Sequence, residues 1–354
     1  MFFFNYKFVL KKVSKSDIFF TDSLYNQLNL ERFKSYHLKI DEINLFYFFE
    51  TLKNYFFNEN CKTLKLAYFF TIINKVEPKV IIDNNESTRG KLIRDLYPSS
   101  KLIMYQNGID FKNNNNLKRK FNKTKPDHYL IWSKKFSNIT KQKKKILITG
   151  SLRNNEKKLK KRKKIYDIMF ISEFRIFDKL AKKKVYKINN KFTSKILRIL
   201  NNYSLSYKKS ICIGFSSNRV EKKNKISFND EIKFFNKYLN NFNIDKISNE
   251  KLAEKSKLII CMTSSFGNEL ISKGHKVLFL NFNYKFFNLD FNSKEKNGPI
   301  WQKEFDQSMV IKKMNNLLKI NNNKYQKLVK KYFKLNTFDE NNTKFKRLIK
   351  KIIE

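Results

Sequence analysis

Apolar residues in this chain come largely as short unbroken runs bounded by polar turns, rather than in alternation with polar ones. Runs of four to six such residues are the pattern of strands covered on both faces, as in parallel sheets. Residues 80–83 (VIID), 102–105 (LIMY), 128–132 (HYLIW) and 146–149 (ILIT) form one series. Residues 167–172 (DIMFIS), 210–214 (SICIG), 258–262 (LIICM) and 276–280 (KVLFL) form a second. Between them the period lengthens to that of helices at 192–203, 228–239, 249–256 and 266–273, and the tail predicts further amphipathic helices at 325–333 and 343–353. Strands alternating with helices predict an α/β fold of doubly wound parallel sheets. The first 75 residues are less regular. Residues 2–10 read as a strand, and the aromatic-rich stretches at 43–57 and 64–74 read as helices whose phenylalanines are core. A lysine-rich segment at 153–164, almost without apolar residues, serves as the linker, so that domains of 1–160 and 161–354 are expected.

The densest signal lies at 258–281, LIICMTSSFGNELISKGHKVLFLN, which is strand, tight turn, helix, strand. Thr263, Ser264 and Ser265 are suited to capping the helix, and Gly274 to ending it in a left-handed conformation. A turn at the carboxyl end of a strand and the amino end of a helix favours an anion, through unpaired N–H groups and the helix dipole. Gly267 would let a ligand approach the backbone, and Glu269 would accept hydrogen bonds from a ribose. Plain capping by the serines and dipole compensation by Glu269 are the simpler uses of the same residues. In the first series, the rule that ligands sit beyond the carboxyl ends of strands gathers Asp83, Glu86, Gln106, Asn107 and Gly108 at one edge.

Composition changes this picture little. The net charge is +45, which suits nucleic acid or an acidic bilayer face, but lysine, asparagine, isoleucine and phenylalanine are inflated throughout and Gly and Pro are scarce. That is the signature of an A+T-rich genome, and the lysines are spread rather than gathered on one element. Peripheral adhesion to an anionic membrane is the by-product such charge allows. Three cysteines far apart (Cys61, Cys212, Cys261) read as buried free thiols of a reducing compartment. Three isolated histidines (His37, His128, His275) make no metal spacing, so no metal site is expected. No apolar run reaches bilayer-spanning length, and the amino terminus lacks the order of a secretory signal. A cytoplasmic protein, at most peripheral at the inner membrane face, is expected.

In order, the strand-end segments YQNG at 105–108, DHYLIW at 127–132, ITGSLRNN at 148–155, FISEFR at 170–175 and SSFGNELISKGHKVLFLN at 264–281 resemble bacterial proteins of surface-carbohydrate (O-antigen-type) biosynthesis. That resemblance implies a GT-B-like glycosyltransferase, with two Rossmann-like domains facing across a cleft and C-terminal helices. It also implies that a nucleotide-sugar co-substrate, with no other cofactor, lays its diphosphate against Ser264, Ser265 and Gly267 and its ribose on Glu269. Gly150, Ser151, Arg153 and Asn154 would line the donor cleft, and Arg175, with Arg219 as a weaker candidate, would supply phosphate cations. Gln106, Asn107 and Gly108 would face a glycan or lipid-linked acceptor. Asn107 stands where related glycerophosphotransferases carry histidine, which argues against a polyol-phosphate transferase. The acceptor hydroxyl needs a base, and Asp83 and Glu86 are the available carboxylates. A non-enzymatic nucleic-acid-binding protein and a nucleotide-binding fold without turnover are the other readings.

Overall fold

The computed structural model describes residues 7–22, 24, 28, 30, 32–39, 42–84, 89–107, 124–134, 137, 145–156, 162–174, 183–216, 228–245, 247–282, 295–332 and 337–354. They divide into two compact units. Unit 1 takes the described residues up to 156 together with those from 337 on, and unit 2 takes 162–332.

Unit 1 is built on a parallel six-stranded sheet in the order β3-β2-β5-β6-β7-β8. Its strands are β2 (Ile18–Phe20), β3 (Ser35–His37), β5 (Val80–Asn84), β6 (Lys101–Tyr105), β7 (His128–Ile131) and β8 (Ile146–Ile148). A separate parallel pair, β1 (Lys7–Val9) with β4 (Glu42–Asn44), precedes helix α1 (Phe48–Phe57). Helix α2 (Leu64–Val76) follows, with Thr63 accepting from the Leu66 amide as its cap. Helices α3 (Arg89–Leu96) and α4 (Leu152–Asn155) come next. The strands are apolar on both faces because both are covered. Ile18, Phe20, Val80, Ile82, Ile103 and Leu130 share one core cluster with Leu152, Phe345 and Ile349.

Unit 2 repeats the plan in the order β10-β9-β11-β12-β14-β13, with only the β13–β14 pair antiparallel. Its strands are β9 (Tyr166–Ile171), β10 (Ile211–Gly214), β11 (Ser256–Cys261), β12 (Val277–Leu280), β13 (Asn297–Gly298) and β14 (Trp301–Gln302). The helices are α5 (Lys183–Tyr207), α6 (Phe228–Asn236), α7 (Asn249–Glu254), α8 (Ser265–Ser272), α9 (Gln307–Lys319) and α10 (Asn322–Tyr332). Gly274 takes φ +90° after α8, as the sequence requires of a left-handed terminator. All three cysteines are buried, and none forms a disulfide among the described residues.

Two expectations need correction. The phenylalanines of residues 43–57 are not core: within α1 only Thr51 is buried, because Asn54 donates to Thr71 Oγ1 (2.8 Å) and turns that side toward α2. The last helix, α11 (Thr343–Ile353), does not go with the second domain. Its Phe345 and Ile349 are fully buried in the core of unit 1, so the chain leaves that sheet and returns to it. Within the expected linker, α4 is ordered by the same return. Asn155 donates to Thr149 O and to Asn342 Oδ1 (both 2.8 Å), and the remainder around 157–161 lies outside the described residues.

Candidate functional site

In both sheets the first strand of the α/β series lies between the second and the third, so the winding reverses beside it: at β2/β5 in unit 1 and at β9/β11 in unit 2. Connections on the two sides of such a point run to opposite faces, which leaves a crevice at the carboxyl ends. Each crossing in this protein is bridged by carboxylates.

In unit 2 the carboxylate is that of Glu173, two residues past the end of β9. One oxygen accepts from the amides of Met262 (3.0 Å), Thr263 (2.6 Å) and Ser264 (2.9 Å), and the other accepts from Thr263 Oγ1. Three consecutive amides converging on one oxygen form an anion nest. The β11–α8 turn thus holds an anion, and that anion is a half-buried acid of this chain. Ser264 takes the cap position of α8 with extended backbone and no side-chain cap bond. Glu269 is buried one turn further along the helix. Gly267 plays another part than the expected approach to a ligand. A Cβ there would meet Cys261 Sγ at 2.5 Å and a Phe279 ring carbon at 3.0 Å, so the glycine seats α8 on β11 and β12. Behind the nest, fully buried Glu231 of α6 accepts from Ser172 Oγ and from the Ser216 amide (2.8 Å), joining the ends of β9 and β10. Glu173 stands in the FISEFR segment without an assigned role. Its position just past a buried strand end, like that of the acid closing VIID, was the available signal.

In unit 1, Asp83 is almost wholly buried and its oxygens are committed. Oδ1 accepts from Thr21 Oγ1 and from the Asn84 amide (2.9 Å), and Oδ2 accepts from the Gly90 amide at the start of α3 (2.7 Å). A carboxylate so enclosed anchors the start of α3 to the ends of β2 and β5. Asp22, which the sequence reading missed, closes the other side of the crossing. It accepts from Tyr105 Oη (2.7 Å), Asn84 Nδ2 (2.9 Å) and the Leu24 amide (2.9 Å). Burial, then Asp22, push the Tyr105 hydroxyl well above the ordinary phenol range. His37 ends β3 at the same edge. Burial holds its imidazole below the usual range, while the charge of Asp22 opposes that shift.

Of the expected cleft residues, the structure brings Gln106, Asn107, Ser151 and Arg153 together around a cavity of about 50 Å³ beside Tyr105 and Leu24. Gln106 is buried, its Oε1 accepting from the Trp132 amide (3.0 Å) and its carbonyl from Trp132 Nε1 (2.7 Å). Gly150 holds φ +76° where a Cβ would lie 2.0 Å from the Thr337 carbonyl, and Asn154 is buried beside it in α4. Gly150, Ser151, Arg153 and Asn154 thus belong to unit 1, while Ser264, Ser265, Gly267 and Glu269 belong to unit 2. Glu86, Gly108, Arg175 and Arg219 lie outside the described residues. No group of three or more His, Cys, Asp or Glu side chains with metal-binding geometry occurs among the described residues.

Residues 103–353 match a protein family described as "putative O-antigen biosynthesis protein". The chain belongs to that family. No curated protein matches it in sequence. Among solved structures it is similar to a putative UDP-N-acetylglucosamine 2-epimerase from Listeria monocytogenes, at TM-score 0.60 and 11% identity over 97% of both chains. It is also similar to the wall teichoic acid polymerase TagF, at TM-score 0.49 and 13% identity over 97% of this chain and 89% of that one. A third is the pneumococcal O-GlcNAc transferase GtfA solved with UDP and GlcNAc, at TM-score 0.48 and 12% identity over 82% and 60%. Identities this low speak to fold alone, and the fold is the pair of Rossmann-like units expected of a GT-B-like protein. Among the described residues no helix is long and apolar enough to cross a membrane.

Proposed function

We propose that this O-antigen family member is a glycosyltransferase that moves a sugar from a nucleotide-sugar donor to a surface-glycan acceptor, lipid-linked in the simplest case, without a metal ion. The observation that carries this reading is the β11–α8 nest, whose three amides already hold an anion. In the proposed reaction the donor diphosphate displaces the Glu173 carboxylate from the nest, and the amino end of α8 stabilises the charge that grows on it as the glycosidic bond breaks. Ser264 and Ser265 adjoin that position, and Glu269 takes the ribose.

The acceptor hydroxyl must lose a proton as it attacks the anomeric carbon. Asp83 is enclosed, and the carboxylate of Asp22 is already engaged by three donors of this chain. His37, kept neutral by burial at the same edge, is the better proton acceptor.

A panel of UDP-, GDP-, CMP- and CDP-linked sugars tests the donor site by thermal shift. At a ligand concentration 100 times Kd, one of them should add about 2.7 kcal/mol of apparent stability. Glu269→Ala should remove that response while the ligand-free protein keeps its fold. His37→Gln should lower turnover and leave the donor response unchanged. A flat response across the whole panel, with steeply salt-dependent binding to duplex DNA, would replace the transferase with a nucleic-acid-binding protein.

A further inference from the structure

The amino-terminal part of unit 1 carries an aromatic surface that the transferase reading does not use. All the largely exposed phenylalanines among the described residues except Phe305 lie between positions 8 and 57. Phe46 (55% exposed), Phe49 (83%), Phe56 (70%) and Phe57 (83%) recur at three- and four-residue helical spacing around Lys53, so they form one stripe along α1 and the turn before it. The opposite side of α1 is fixed by buried Thr51 and by the Asn54–Thr71 hydrogen bond to α2, so the stripe faces away from the unit that carries it. A genome rich in A and T accounts for the number of phenylalanines but not for where they sit. Phe19, Phe20, Phe170, Phe215, Phe235, Phe279 and Phe345 are all fully buried.

We infer that this stripe is a docking surface for an anionic phospholipid bilayer. Exposed aromatic clusters of this size mark interaction sites. The chemistry around this one selects a negatively charged apolar partner. Lys53 lies at the centre of the stripe, exposed Lys62 and Lys65 follow α1, and the whole chain carries +45. Glu50, at the edge of the stripe one turn after Phe46, is paired with Lys75 at 2.9 Å. Helix α1 spans Phe48–Phe57, about 15 Å at 1.5 Å per residue, far too short to cross the hydrocarbon core. It would lie along the interface, phenylalanines in the acyl boundary and Lys53 reaching up to lipid phosphates. Phe8 and Leu10 are exposed as well, on and just after the strand that pairs with β4. The docking surface is independent of the transferase chemistry, since a bilayer binds here whether or not a nucleotide sugar binds elsewhere.

The test is partition of the full chain onto phosphatidylcholine–phosphatidylglycerol vesicles, measured by co-sedimentation. The triple variant Phe49→Ser, Phe56→Ser, Phe57→Ser should lose roughly a hundredfold in partition, from the apolar area no longer buried. Its circular dichroism should be unchanged, because all three side chains already stand in water. Leu205→Ser, an exposed apolar position in unit 2, should leave partition as it was. The fluorescence of a Phe56→Trp variant should be quenched by brominated acyl chains, whereas the native Trp132 and Trp301 are buried and should be quenched little. Equal partition of the triple variant and the native chain would overturn the proposal and leave adhesion by charge alone. It is overturned equally if the Phe56→Trp variant escapes quenching while the triple substitution turns a dimer into a monomer, since a second copy would then cover the face.

Discussion

At the β2/β5 crossing of unit 1 acids come from both strands, Asp83 within β5 and Asp22 two residues past β2, whereas at the β9/β11 crossing of unit 2 the acid on the β11–α8 turn comes from beyond β9. Asp83 is the penultimate residue of β5, sealed from water, with its bonds divided over Thr21, Asn84 and Gly90. Glu173 reaches across from β9, half-buried, and places one oxygen on three successive amides. The first arrangement ties a helix start into the core. The second leaves a strong anion site whose occupant lies two residues past the end of β9 and is only half-buried. Two carboxylates at the switch points of two similar sheets therefore differ in what can displace them.

The sharpest way to break that comparison is Asp83→Ala. It strands buried donors on two elements, and unsatisfied groups of that kind cost about 1–3 kcal/mol each, so a loss of about 4 kcal/mol is expected in urea unfolding. A loss below about 1 kcal/mol would make Asp83 as dispensable as a surface acid.

Next in size is an acid-sensitive element confined to unit 2. His275, buried between α8 and β12, has its imidazole pushed down to about 3 from an ordinary 6.5 by burial first, then by Lys164 and Lys273. As pH falls below about 6.5 the unfolded chain takes up a proton that the folded one refuses. The stability this histidine permits is thus complete above that value and lost on the way down to about 3. At about 1.4 kcal/mol per pH unit, roughly 3 kcal/mol disappears by about pH 4. In His275→Gln the difference in unfolding free energy between neutral and acid buffer should shrink by that amount, against a native chain measured in parallel.

The smallest effect bears on the occupant of the nest. Glu173→Gln weakens charge-assisted bonds without emptying the space, and should cost about 1–2 kcal/mol. Donor-induced stabilisation should rise in the same variant, because a neutral amide yields the nest more easily than a carboxylate. A fall in donor response would mean that Glu173 orders the turn for the ligand rather than competing with it.

The strands of both series were legible because parallel strands buried on both faces leave continuous apolar runs, and 80–83, 102–105 and 258–262 match β5, β6 and β11 to within two residues. β2 was not legible. Ile18–Phe20 is only three residues long, and what makes it a strand is pairing with β3 and β5. The error at α1 has a definite cause. A stripe of phenylalanine at helical spacing encodes an apolar face but not what covers it, and here the inward side is the one with Thr51 and Asn54. At the site, the serine-rich turn was visible as a strand-to-helix junction, while Glu173 lies 90 positions from Thr263 and local spacing does not join them. Asp83 was visible as a strand-end acid. Its enclosure was not, because Thr21 and Gly90 approach it from separate elements.

The return of α11 to the first sheet also sets an order of events on the ribosome. Phe345 and Ile349 complete a hydrophobic cluster whose other members, from Ile18 to Leu152, are made long before them. All the described residues of unit 2 are synthesised in the interval, so that unit can condense while its host still lacks a wall. A chain truncated before residue 343 and released from the ribosome should thus carry a protease-resistant core within unit 2, beside an amino-terminal half that is readily cut.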